Sequence, residues 1–455
     1  MDSKYKTGFQ SYEEANDFLY LAIDYEKLIS YQYNASTFSL NRMVKMLEYA
    51  ENPHKTFPSV HITGTKGKGS TSIMVSTVLG QAGLKTGLFT SPHLIDLRER
   101  IQINHQKISE EDFMCFLSRL RPYIQYLRDT DPPASPTFFE ILTAVCMLCF
   151  KKECVDMAVL EVGLGGRLDS TNVVTPEVAV ITNIGYDHTA ILGNTLSSIA
   201  YEKAGIMKQN IPVLSAVEDP EALAVIEKTC KEKNAALYLL GRDLFIREVR
   251  NNAAGGLICT IETCRHTYED IFLPLIGYHQ VRNCALTLGV LDILEGRGFI
   301  SVDDKVVREA LSHVYCPARI EVVGKEPWII LDYAHTADSM RSLRKSLLEN
   351  FQFNKLVLVL GLSQDKELDT VLNEIVSASD LIVVTKSANP RAASPGDLYE
   401  KIERLCGKKS TVFHNTRDAV IASRQMAAKD DLICITGSVY IAGEALQVLR
   451  TGTVE

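Results

Sequence analysis

An α/β fold built on a largely parallel sheet is what this sequence predicts, and three observations predict it. Apolar, β-rich runs alternate with helix-period segments along most of the chain. A glycine-rich loop stands between one such run and the helix after it, in PSVHITGTKGKGSTSIMVSTVLGQAG, residues 58–83. A second strand–helix series starts after Tyr315-Cys316-Pro317. Taken in order, the first series has strands at Val60–Thr63, Thr86–Phe89, Asp156–Val162, Val178–Thr182 and Val213–Ser215, with helices over 70–81, 109–127, 137–150 and 195–208. Segment 243–276 breaks the alternation. There Leu244–Val249, Gly256–Glu262 and Ile271–Leu273 are short strands joined by polar turns, a small antiparallel insert, and a long helix follows over 278–296. The second series has strands at Trp328–Asp332, Leu356–Leu360, Leu381–Thr385 and Leu432–Thr436. The restart at Pro317 places a boundary at 314–318, hence domains of 1–313 and 317–455. With no low-complexity linker between them, the two lobes are expected to pack closely over a cleft.

Composition narrows the function classes. The 455 residues, 46% of them hydrophobic, suffice for two or three domains with real cores. A net charge of −8 argues against bulk attraction to nucleic acid or an anionic membrane, while leaving room for local basic pockets. The opening MDSKYKTGFQSYEEA has no apolar signal segment and no run reaches transmembrane length, so a cytoplasmic protein is expected. The cysteines, odd in number at eleven, mostly sit in apolar stretches, which fits reduced, buried thiols. Cys146 and Cys149 make a C-x-x-C pair with Cys154 nearby, but in a buried helical pattern with no second pair or partner histidine, so no metal or redox role is expected of them.

The glycine loop carries the first chemistry. Backbone N–H groups of such a loop close around phosphate, the following helix N-terminus adds a favourable dipole, and a loop lysine meets the outer phosphates. This assigns Gly64, Thr65, Lys66, Gly67, Lys68, Gly69 and Ser70 to a nucleoside triphosphate centred on Lys68. The spacing departs from G-x-x-x-x-G-K-[ST], which would need glycine at Ile62 and a hydroxyl at Gly69; the hydroxyl comes one step late, at Ser70. The plain alternative is a tight strand-to-helix turn with solvated lysines. In open parallel sheets ligands gather beyond the carboxyl ends of strands. Ser91, Glu161 and Asp187-His188 fall at those ends beside Lys68, a lysine–hydroxyl–carboxylate–imidazole set on one rim. Mg²⁺ takes one or two carboxylates together with water and phosphate oxygens, which suits Glu161 and Ser91, with His188 a less usual ligand. Each also has a plain reading: turn chemistry before Pro92, a strand–loop junction, a satisfied loop histidine. Lys203 lies on a helix, where a surface lysine is the rival reading. Asp332 and His335 end a strand of the second series, with Arg319 just past the boundary; ligand contact and simple helix capping both fit them.

The order of motifs resembles the folylpolyglutamate synthase/dihydrofolate synthase family, a branch of the Mur ligase group. Its carriers are ITGTKGKGS (62–70), FTSPHL (89–94), TFFEILTA (137–144), EVGLGGRLDSTN (161–172), TNIGYDHTAILG (182–193), EKAGIMK (202–208), HQVRNCALTL (279–288), CPARIE (316–321), LDYAH (331–335) and TGSVYIAGE (436–444), together spanning nearly the whole chain. The resemblance implies a P-loop-type, ATP-binding N-terminal domain, a smaller Rossmann-like C-terminal domain, and Mg²⁺-dependent amide ligation with two ions expected. By motif it implies that Lys68 and its loop hold the ATP phosphates and that Ser91, Glu161 and His188 bind metal. It further implies that Lys203 is carbamylated and acts with Lys68 in catalysis. Asn283, Arg319 and Asp332 would contact nucleotide, and His335 would lie near the incoming L-glutamate. The acceptor implied is dihydropteroate, a reduced folate, or both, with a monomer expected and no nucleic-acid or membrane partner. A cell-wall amino-acid ligase of the same group is the nearest alternative, and a P-loop kinase or NTPase a more distant one that leaves Lys203 and the second lobe unexplained. One departure stands out: the family loop commonly has asparagine where this chain has Lys66. Its charge either reinforces phosphate binding or faces solvent, and solvent is the expectation because Lys68 already fits the catalytic lysine.

Overall fold

In the computed structural model the described residues are 8–28, 38–252, 255–364 and 366–451. Residues 1–7, part of the stretch read above as lacking a signal segment, lie outside them. The first sheet has eight strands: β1 (Ser59–Thr63), β2 (Thr86–Phe89), β3 (Ile101–Ile103), β4 (Gln106–Lys107), β5 (Met157–Glu161), β6 (Val178–Ile181), β7 (Val213–Ser215) and β8 (Leu237–Leu239), in the order β4-β3-β2-β5-β1-β6-β7-β8. From β2 to β8 every pairing is parallel; β3 and β4 form an antiparallel edge. β1 and β5 are buried along their whole length, which is why they read as continuous apolar runs rather than alternating ones. Val60, Ile62, Met157 and Val159 face helices 68–81 and 278–296, whereas Ala158 and Leu160 face helices 110–130 and 138–152.

The insert is a three-stranded antiparallel sheet of β9 (Phe245–Asn251), β10 (Leu257–Glu262) and β11 (Thr267–Leu273), whose Leu257, Cys259 and Ile261 join the core beneath helix 278–296. The second lobe is a six-stranded sheet of β12 (Glu321–Lys325), β13 (Trp328–Leu331), β14 (Leu356–Leu360), β15 (Leu381–Val384), β16 (Thr411–Val412) and β17 (Leu432–Thr436), ordered β12-β13-β17-β14-β15-β16 and parallel except for β12. Helices cover both faces. The lobes touch where the loop after Ser91-Pro92 meets helix 439–450: at Gly443 a Cβ would collide with the Leu94 carbonyl, so only glycine allows that approach. Among the described residues no helix is long and apolar enough to cross a membrane.

Three sequence readings change. Helix 68–81 starts at Lys68 rather than near Ser70, because Gly67, in the left-handed region at φ 84°, caps it by backbone geometry alone. The helix expected over 195–208 stops at Ala204, before Gly205. Helices 12–20, 40–49, 220–232 and 304–312 and strands β3, β4, β8, β12 and β16 have no counterpart in the sequence reading.

Candidate active site

The carboxyl ends of β1, β2, β5 and β6 open on one cleft between the lobes, and the polar residues at those ends line it. One arm of the cleft, a cavity of about 280 Å³, has Lys68, Ser91, Glu161, Asp187 and His188 on its first-lobe wall and His335 and Lys366 opposite. A second arm of about 230 Å³ is lined by Ser70, Asn283 and Asp332. The arms meet at Lys66, Gly67, Arg319, Tyr333 and His335.

The phosphate loop is held from outside as well as by its own turn. The Thr182 hydroxyl donates to the Lys66 carbonyl at 2.6 Å, and the Lys66 N–H donates to Asn183 Oδ1 at 2.7 Å. At Gly67 a Cβ would fall on the side-chain oxygen of Asn283, so the loop backbone and helix 278–296 approach as closely as glycine permits. A Cβ on Gly69 would stand 2.8 Å from Arg319 Nη2 and 3.4 Å from Glu161 Oε2, which places the first turn of helix 68–81 beside that cation and that carboxylate. Lys68 Nζ donates to the Gly64 carbonyl at 3.0 Å, folding back over its own loop.

Glu161 ends β5 and is 3% exposed. Its Oε2 accepts the Ser91 N–H at 3.1 Å. Burial raises its pKa, opposed by the positive charges of Lys68 and Arg319. Among the described residues no three His, Cys, Asp or Glu side chains converge into a cage. The donor set nevertheless suits Mg²⁺, which needs few protein oxygens when phosphate and water complete its shell. Glu161 supplies a buried carboxylate, Ser91 a hydroxyl, and His188 an imidazole that burial keeps neutral, its pKa lowered to about 3. His188 itself sits in the left-handed region at φ 51°, at the head of the short helix Thr189–Leu192.

Lys203 is not a surface residue. It is 4% exposed, and its Nζ donates at 2.9 Å to the same Gly64 carbonyl that Lys68 meets. Burial, then the charge of Lys68, drives its pKa well down and favours the neutral amine. Lys66 is the clear correction. Expected in solvent, it donates to Asp187 Oδ2 at 2.9 Å, with His335 Nε2 3.2 Å away.

In the second arm Asn283 is 6% exposed and its amide donates to Gln280 at 3.0 Å. Arg319 lies over the Tyr333 ring, 4.8 Å from its centroid. Asp332 accepts the N–H groups of Ala334 and Ile320, at 2.6 and 3.1 Å. Burial pushes Asp332 up to about 6 from an ordinary 3.8, so the folded chain holds this proton more tightly than the unfolded one. Its contribution to stability is therefore complete below about pH 4 and lost as pH rises through about 6. Asp332→Asn is expected to flatten that part of the pH–stability curve relative to the unaltered protein, as measured by urea denaturation at stepped pH.

Some cleft residues carry no sequence signal: Tyr25 and Phe38, in no motif, join Phe139 of TFFEILTA in giving the first arm an aromatic wall, with Asp24 among them. TFFEILTA thus divides its duties: Phe139 lines the cleft while Phe138 and Ile141 are core. Glu26 takes both terminal nitrogens of Arg100, at 2.7 and 2.6 Å, and Arg100 Nε donates to His93 at 2.9 Å, tying the N-terminal segment to the SPH loop. Arg100 is 1% exposed and Glu26 31%, so Arg100→Met leaves a half-buried Glu26 without its cation and should lower stability by about 2 kcal/mol in urea denaturation.

The family description "Mur ligase middle domain" matches residues 62–291 and "Mur ligase, glutamate ligase domain" matches residues 318–439. The chain is 34% identical to the dihydrofolate synthase/folylpolyglutamate synthase of Bacillus subtilis (strain 168), over 90% of this chain and 95% of that protein. Among solved structures, the Mycobacterium tuberculosis folylpolyglutamate synthase complexed with ADP and AMPPCP is similar with a TM-score of 0.86 at 30% identity, covering 90% of this chain and 95% of that one. An FPGS–AMPPCP–folate complex is similar with a TM-score of 0.80 at 27% identity, covering 97% and 100%.

Proposed function

Because this chain belongs to the Mur ligase family, on its folylpolyglutamate synthase/dihydrofolate synthase branch, we propose that it is an ATP-dependent ligase joining L-glutamate to dihydropteroate or to the γ-carboxyl of a reduced folate. The observation that carries this reading is the convergence of Lys68 at a helix start, Glu161 at a strand end and His335 on a loop of the other lobe, on one cleft.

A carboxylate is a poor acyl donor because the departing oxygen is strongly basic. Its oxygen attacks the γ-phosphorus of ATP, the bond from that phosphorus to the bridging oxygen breaks, and ADP leaves behind an acyl phosphate. The amine of L-glutamate then attacks the acyl carbon, phosphate departs, and the nitrogen loses its proton to form the amide. Lys68 opposes the charge spread over the transferring oxygens, and the loop N–H groups from Thr65 to Ser70 hold the phosphates in place. Asn283, Arg319 and Asp332 take the nucleoside end in the second arm, and the aromatic wall takes the pteridine. His335 orients the incoming glutamate. Ser91, Glu161 and His188 are the residues that would hold Mg²⁺, which when bound supplies charge neutralisation at the phosphoryl oxygens. Closure of the lobes keeps water from the acyl phosphate.

A buried neutral amine is the form that adds CO₂, and this supports carbamylation of Lys203: nitrogen bonds to carbon, one proton is released, and a neutral amine becomes an anion beside Lys68. A carbamate resonance on exposure to ¹³C-bicarbonate, missing in Lys203→Ala, checks it. A monomer working in the cytosol belongs to the same proposal. The function is tested by ADP release with dihydropteroate, reduced folates and cell-wall precursors, each with and without L-glutamate. Release that needs both a pteroate compound and glutamate is expected; release without any amino acid would mark a kinase or NTPase.

A further inference from the structure

Lys66 reaches across the cleft, while Lys68, two residues on, turns back onto the Gly64 carbonyl. Asp187, whose side chain is 9% exposed, takes Lys66 on Oδ2 at 2.9 Å and Lys366 on Oδ1 at 3.3 Å. Lys66 and Asp187 stand on the loops after β1 and β6, and Lys366 on the loop after β14. One carboxylate thus joins the phosphate loop to the other lobe. His335, on the loop after β13, completes the group. Its Nδ1 lies 2.9 Å from the Tyr333 carbonyl oxygen, which only accepts, so Nδ1 bears the proton. Nε2 is left with its lone pair facing Lys66 Nζ at 3.2 Å. Charge-assisted bonds of this kind are shorter and stronger than neutral ones, and a lysine spending two of its three N–H groups this way is directed away from the loop interior.

We propose that Lys66 is a positioning residue: through Asp187 it clasps the phosphate loop to Lys366 of the second lobe, and through a further N–H it holds the His335 ring with Nε2 as acceptor. Such a role presupposes the ligation site described above, where His335 meets the incoming glutamate. A phosphate ligand and a clasp predict different losses. Lys66→Met keeps the stem and removes the donor. Affinity for a non-hydrolysable ATP analogue, read by calorimetry, should change less than about threefold, while KM for L-glutamate rises about tenfold with a smaller fall in kcat. The His335 ring ¹⁵N signals, assigned by their loss in His335→Gln, should move. Lys366→Met approaches the same carboxylate from the other lobe and should raise the glutamate KM similarly, the double variant losing less than the product of the two.

A loss of analogue affinity of about 100-fold in Lys66→Met would make Lys66 a phosphate ligand and overturn the clasp. So would an unchanged glutamate KM with unmoved ring signals. Absence of ligation by the unaltered protein would count against the functional reading alone, since the ring signals and the analogue affinity decide the clasp without turnover.

Discussion

Lys68→Ala is expected to lower glutamate-dependent ADP release by at least about a thousandfold, equivalent to about 4 kcal/mol of transition-state stabilisation. The charge on the transferring phosphoryl group is spread over three oxygens, and the loop N–H groups supply only partial charges there. Lys68 brings a full positive charge from the first turn of helix 68–81, adding to that helix's dipole. Stability should change by less than about 0.5 kcal/mol, because among the described residues its amine hydrogen-bonds the Gly64 and Thr65 carbonyls, which water can satisfy in its place. Steady-state ADP release and urea denaturation on the same preparation separate the two effects. Normal turnover in this variant would remove Lys68 from the reaction.

Glu161→Gln is expected to cost about as much, roughly a thousandfold in turnover, for a different reason. The substitution keeps the shape and an oxygen for the Ser91 N–H, so the strand end and the SPH loop stay in place. What disappears is a buried negative charge facing Lys68 and Arg319. Without it Lys68 and Arg319 lose the carboxylate that faces them at the point where Mg²⁺ is expected to sit. The Mg²⁺ concentration for half-maximal rate should rise steeply, and a chelator should stop the unaltered enzyme. An unchanged Mg²⁺ requirement in Glu161→Gln would take the metal away from this carboxylate.

How much of this was legible beforehand depends on what kind of signal each residue gives. β1, β2, β5, β6 and β7 were readable to within a residue or two, because buried parallel strands are unbroken apolar runs and each ends in a polar cluster. β3 and β4, of three and two residues, are too short to show any alternation. Glu161 and His188 were readable because a strand's end is also a site's edge. Lys203 was not readable as buried: its helix turns it under the phosphate loop, and helical spacing alone does not say which face packs. Lys66 was misplaced because its partners, Asp187 and His335, lie 121 and 269 residues downstream. Tyr25, Phe38 and Arg100 gave no motif at all, since an aromatic wall and a buried ion pair are made by tertiary packing.

Oxygen isotope transfer tests the chemistry most directly. With the acceptor carboxylate labelled in ¹⁸O, each turnover with ATP and L-glutamate should deliver one labelled oxygen to inorganic phosphate, detected as a mass shift, while the new amide keeps the other. Amide formed alongside unlabelled phosphate would contradict activation of the carboxylate by the γ-phosphoryl group, and with it the role given to the cleft around Lys68 and Glu161.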